Sequence, residues 1–143
     1  MFVPSLPKLA ISGATRWLGP DKAVIQLSLR HRTDDQLWFS MFHEGHHVLK
    51  HKTAAIFIDA APDQDGDPAE QEADRFARDT LIPPGDYARL VARGRPTLAQ
   101  IRTFAREVGV SPGIVIGRLQ FEQVLPYADG NALKVRLSWD FEE

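Results

Sequence analysis

His43-Glu44-Gly45-His46-His47 is the stretch from which the rest of the chain is read. Helical residues four apart sit about 40° apart around the axis, so in a helix the imidazoles of His43 and His47 project from one face and can grip one ion. Zinc is the usual partner of neutral nitrogen donors at this spacing. Glu44 lies about 60° to 100° around the helix from the two histidines. From there it misses direct ligation but reaches a water held at the ion, which is where a general base must sit. All five histidines (His31, His43, His46, His47 and His51) crowd into residues 31–51, so the chemistry is concentrated on this segment.

Working outward, Thr33-Asp34-Asp35-Gln36 has the form of a capping box with two acids in the first turn. It predicts a helix from there to about Lys50. Leu37, Met41 and Val48, with Trp38, Phe42 and Leu49, form an apolar stripe on the side away from His43 and His47. That stripe is read as the packing face, with Gly45 inside it allowing another backbone to approach. Upstream, the β-prone runs 14–18 and 23–29 flank Gly19-Pro20-Asp21-Lys22 and predict a hairpin. Downstream, residues 54–60 form another short strand candidate and residues 62–68 an acidic loop.

A catalytic zinc takes three protein ligands and keeps one position open. The chain has no cysteine, and no histidine follows His51, so the third ligand should be a carboxylate. The helix expected over Pro68–Leu81 places Glu70 on one face with Ala73, Asp74, Ala77 and Leu81, and Glu72 on the polar face with Gln71, Arg75 and Asp79. Glu70 is therefore the expected ligand and Glu72 a solvated acid. Asp74, one turn beyond Glu70, is placed to accept the remaining N–H of a ligating histidine and so fix its orientation. A second i, i+4 pair, His47 and His51, would leave Glu44 without a role.

The rest of the chain reads as helical. Helices are expected over residues 85–92 and 97–108, the second opened by a capping box at Thr97 to Gln100, and from Ser111-Pro112 to about Gln123. Leu133, Val135, Leu137 and Trp139 alternate and predict a final strand. Ala105, Gly109 and Val115 match the spacing of a helix-turn-helix. The positions that would face a major groove, Ser111, Pro112, Gly113, Ile116 and Gly117, offer no bidentate base reader. This region is thus expected to be a helical hairpin packed on the catalytic lobe.

Composition bounds the alternatives. A chain of 143 residues, 43% hydrophobic and 25% charged, fits one compact domain over residues 1–143. A net charge of −2 excludes the basic footprint of a dedicated nucleic-acid binder. No apolar run approaches the roughly 20 residues of a membrane span, and the N-terminus lacks the pattern of a signal peptide. The expectation is an intracellular, cytoplasmic protein with no direct nucleic-acid or membrane partner. Its fold class is expected to be α+β, with a small antiparallel sheet beside the active-site helix and a helical C-terminal half.

His43-Glu44-Gly45-His46-His47-Val48-Leu49, then Glu70-Gln71-Glu72-Ala73-Asp74-Arg75-Phe76-Ala77 and Leu81-Ile82-Pro83, resemble the ImmA/IrrE family of metallopeptidases. The segments Gly13-Ala14-Thr15-Arg16-Trp17-Leu18 and Asp35-Gln36-Leu37-Trp38-Phe39 resemble the subgroup often fused to Xre/HigA-like helix-turn-helix regulators. The resemblance implies a minimal gluzincin-like fold, with His43, His47 and Glu70 on Zn²⁺ and Glu44 catalytic. It also implies an intracellular endopeptidase whose substrate is a partner protein, an Xre-type repressor, so that stress or mobile-element genes are derepressed. The rival reading is a catalytically silent sensor or interaction domain that keeps the zinc fold. Tyr87, Tyr127, Arg118 and His51 stand open as donors to the oxyanion.

Overall fold

The computed structural model describes residues 11–28, 33–50, 57–60 and 67–138. The expected hairpin forms from β1 (Ile11–Gly19) and β2 (Lys22–Leu27). They pair antiparallel from Gly13 opposite Leu27 to Trp17 opposite Ala23, and the register shifts between Trp17 and Gly19 as the chain enters the turn. β3 (Phe57–Ala60) pairs antiparallel with the other edge of β1, giving the order β2-β1-β3. β1 is therefore the central strand. Residues 54–56 of the expected third strand, and the loop up to residue 66, lie outside the described residues.

Five helices follow the sequence signals closely among the described residues. α1 spans Asp34–Lys50. α2 spans Pro68–Leu81, started by Asp67, whose Oδ1 accepts from the Ala69 N–H at 2.8 Å, with Pro68 in the first turn. α3 (Pro84–Val91) begins directly after the Pro83 break. α4 (Leu98–Val108) carries both arms of the expected capping box and ends on Gly109 in the left-handed conformation, φ 77°. α5 (Pro112–Phe121) is capped by the Ser111 hydroxyl. The apolar core lies in this C-terminal half, with Ile82, Tyr87, Ile101, Phe104, Val115 and Leu119 buried together. The architecture is α+β, as expected. No helix among the described residues is long and apolar enough to cross a membrane.

α5 is the buried helix that carries α1. Gly113 and Gly117, one turn apart, each make room for a carboxylate: a Cβ on Gly113 would lie 2.5 Å from Asp34 Oδ1, and one on Gly117 would lie 2.5 Å from Asp35 Oδ2. The two acids of the first turn do not face solvent. Both are buried. Asp34 accepts from the Ser111 hydroxyl and, at 3.0 Å, from the Val135 N–H, while its own N–H donates to Val135 O at 3.0 Å. Asp35 pairs with Lys134 at 2.8 Å. Three of the residues that a helix-turn-helix would turn toward DNA, Ser111, Gly113 and Gly117, are thus turned onto α1.

Two expectations are corrected. The alternating tail does not form a strand. Asn131–Leu133 is a short 3-10 turn, and Arg136 makes an isolated bridge with Thr33. Both backbone groups of Val135 are taken by Asp34, which ties the tail to the start of α1 instead of to the sheet; Trp139 lies outside the described residues. The second correction concerns α1. Half of its apolar stripe is exposed, with Trp38, Met41 and Leu49 at 47%, 41% and 67%, and Leu37, Phe42 and Val48 are only part-buried, while His43, Glu44, His46 and His47 are buried. Gly45 has no described neighbour within 4 Å of a built Cβ. α2, α5 and β1 all reach α1 at its polar residues, so polar pairing and not the apolar stripe sets the helix's orientation.

Gly113→Ala tests the α1–α5 packing, because its Cβ would also lie 2.9 Å from the Lys134 backbone. Alanine gains about 1 kcal/mol of helix propensity, while overpacking costs about 1–3 kcal/mol. Denaturant unfolding should therefore show a net loss of stability. Gly85→Ala, with no described neighbour within 4 Å, should be neutral or stabilising. Equal effects at the two sites would refute the close approach of Gly113 to Asp34.

Candidate metal centre

The site forms where α1 and α2 pack together. The apolar positions of α2 that face inward are small: Ala73 and Ala77 are fully buried. They let Glu70 and Asp74, on the same face, reach the imidazoles of α1. Glu70 Oε2 lies 3.0 Å from His43 Nε2, and its Oε1 lies 3.3 Å from His47 Nε2. The two Nε2 atoms are 3.2 Å apart. His43, His47 and Glu70 each offer one ligand atom to a group spanning at most 4.8 Å. Tetrahedral ligands at about 2.0–2.1 Å from a zinc ion stand about 3.3 Å from one another. The observed separations of 3.0, 3.2 and 3.3 Å fit that spacing.

Asp74 completes the set. Its Oδ1 lies 2.8 Å from His43 Nδ1. A carboxylate can only accept, so Nδ1 carries the hydrogen toward Asp74, and with a cation on the Glu70 side the neutral ring would offer it the Nε2 lone pair. Asp74 thereby selects the tautomer that can bind a cation and holds the ring in place. Glu72, as the helical arrangement suggested, is half-exposed and peripheral, 3.8 Å from His46 and 3.6 Å from Lys50. His46 is buried with its ring 5.0 Å from Phe76. His31 and His51 lie outside the described residues.

Glu44 is held from the other side, by the sheet. It is 1% exposed. The Thr15 hydroxyl, equally buried, lies 2.5 Å from Glu44 Oε2 and donates to it. A Cβ on Gly13 would fall 2.8 Å from both Glu44 Cγ and Oε1. Gly13 and Thr15 are two apart on β1 and share one face. One clears space for the carboxylate and the other binds it. Sequence reasoning missed both, although Gly13-x-Thr15 at strand spacing within a run already singled out was the available signal.

Three of the open oxyanion candidates can now be placed. Tyr87 belongs to the apolar core, its ring 4.5 Å beneath the Arg118 guanidinium. Burial raises its phenol above the ordinary value and Glu122 adds to this, while Arg118 opposes it, so the phenol stays protonated at neutral pH. Tyr127 is exposed in the loop after α5. Arg118 pairs with Glu122 at 2.7 Å.

A helix-borne His–Glu–x–x–His with a carboxylate from a second helix is the donor set of a mononuclear metallohydrolase. The chain belongs to the Peptidase_M78 family: the family model described as the IrrE N-terminal-like domain matches residues 7–120. That span contains α1, α2 and the sheet, and with them every residue of the donor set. A search among curated proteins found no match.

Two measurements check this site. Metal analysis of zinc-reconstituted protein should give about one ion per chain, falling sharply in His43→Ala and in Glu70→Ala but not in Glu72→Ala; loss in Glu72→Ala alone would show that the α2 register is wrong. Asp74→Ala should weaken metal affinity by about 10- to 100-fold without unfolding the protein. Wild-type affinity there would remove the orienting role.

Proposed function

We propose that the protein is a zinc-dependent endopeptidase that cuts a partner protein in the cytoplasm, an Xre-type helix-turn-helix repressor, and thereby derepresses stress-response or mobile-element genes. The observation that carries the hydrolytic reading is Glu44: a buried carboxylate beside the donor set, fixed by Thr15 and given its space by Gly13. A site built only to hold a metal needs no such base. Membership of a peptidase family supports a peptide bond as the bond that is cut.

His43, His47 and Glu70 would hold the ion, and their two nitrogens and one carboxylate suit zinc. When bound, zinc supplies Lewis-acid polarisation of the scissile carbonyl and lowers the pKa of water beside it. Glu44 takes a proton from the attacking water and passes it to the departing amine. Thr15 keeps the Glu44 carboxylate aimed during both transfers. Asp74 keeps His43 from turning and from losing the tautomer that binds the cation.

The test uses zinc-loaded wild type and Glu44→Gln with the Xre-type repressor encoded nearest its gene. Glu44→Gln keeps size and hydrogen bonding but removes the base. It should retain zinc and lose about 10²- to 10⁴-fold of the rate of a discrete cleavage, together with derepression of a reporter. Derepression at wild-type strength in Glu44→Gln would replace the peptidase by a silent zinc-fold sensor.

A further inference from the structure

Beside the donor set lies a cavity of about 220 Å³, between the first half of α1, the second half of α2 and α5. Two residues join it to the metal centre. Asp74 lines the cavity and also holds His43 Nδ1, and Phe39 lines it with its ring centroid 6.2 Å from that of His43. The walls are mostly apolar, formed by Phe39, Leu81, Ile82, Ile114 and Phe121. The acids on its border already have partners: Asp35 has Lys134 and Asp74 has His43. Arg118 has Glu122. Arg78 lies over the Phe121 ring at 5.9 Å, and its buried Nε–H meets no acceptor among the described residues.

We propose that this cavity receives one side chain of the peptide being cut, next to the scissile bond, and that it selects an uncharged, bulky apolar one: phenylalanine, leucine or methionine. The proposal rests on the metallopeptidase reading and adds its specificity. An apolar cavity of about 150 Å³ accommodates a benzene molecule, so this one has room for a phenylalanyl or leucyl side chain. A lysyl side chain would lose its hydration and find both bordering carboxylates, Asp35 and Asp74, already paired. The Arg78 Nε–H is placed to bond a carbonyl of the peptide that carries the inserted side chain, and so marks where the main chain passes.

Two readouts keep the pocket separate from the chemistry. In the first, N-acetylated amides of phenylalanine, leucine, alanine and lysine are titrated into zinc-loaded Glu44→Gln, which does not depend on turnover, and amide chemical shifts are followed. The phenylalanine and leucine amides should shift Phe39, Ile82 and Gly117 and bind at least about tenfold tighter than the other two. In the second, a degenerate peptide library is cut by wild type, by Gln36→Trp, which narrows the exposed rim, and by Phe121→Ala, which removes a half-exposed wall. Cleavage beside phenylalanine, leucine or methionine should dominate in wild type and fall about tenfold relative to cleavage beside alanine in each variant. Binding of the phenylalanine amide at the cavity without any cleavage would uphold the pocket and remove the peptidase reading. No shift at the cavity residues, or the same cleavage preference in all three proteins, would overturn the pocket.

Discussion

His43 sits between two carboxylates, Glu70 at its Nε2 and Asp74 at its Nδ1, and the packing of α1 on α2 depends on that arrangement. Buried imidazoles must be paired or bound to a cation, and here both ring nitrogens of one histidine are served from a single face of α2. Ala73 and Ala77 make the approach close enough. His47 enters the same group through Glu70. A helix pair joined mainly by apolar contact would tolerate small rotations. One joined by directional contacts near 3 Å does not, and the same constraint that fixes the helices also fixes the donor spacing.

This constraint explains the orientation of α1. Three elements converge on its polar side: α2 brings carboxylates to the histidines, β1 brings Gly13 and Thr15 to Glu44, and α5 brings two glycines to Asp34 and Asp35. Each partner supplies something an imidazole or carboxylate needs. The small residues Gly13, Gly113 and Gly117 stand where neighbours approach α1 closely. The site is therefore built on a central strand and three helices, the rigid support that a positioned acid–base pair requires.

Much of this was legible in the sequence, for reasons that differ by element. α2 and the start of α4 were legible because their signals are local: Pro68 at the start of one, and Thr97 with Gln100 at the other, act within a few residues. The choice of Glu70 over Glu72 followed from helical periodicity, since one face carried the small inward residues. The orientation of α1 was not legible, because a hydrophobic stripe reports where burial would be favourable and not which neighbours arrive. The tail was misread for a related reason. Alternation at Leu133, Val135 and Leu137 describes a strand-like backbone, but its partner is the helix start at Asp34, 101 residues away in the chain. Thr15 was missed because only its spacing from Gly13 marks a threonine that binds a buried carboxylate and not one that fills a strand.

The central claim is that a single cation binds between α1 and α2 on His43, His47 and Glu70, with Glu44 beside it. Anomalous diffraction at the zinc edge, from crystals grown with stoichiometric zinc, tests this most directly. The account predicts one strong peak within bonding distance of His43 Nε2, His47 Nε2 and a Glu70 oxygen, with the Asp74 carboxylate still on His43 Nδ1. A peak between His46 and Glu72, or none at all on this face of α1, would contradict it.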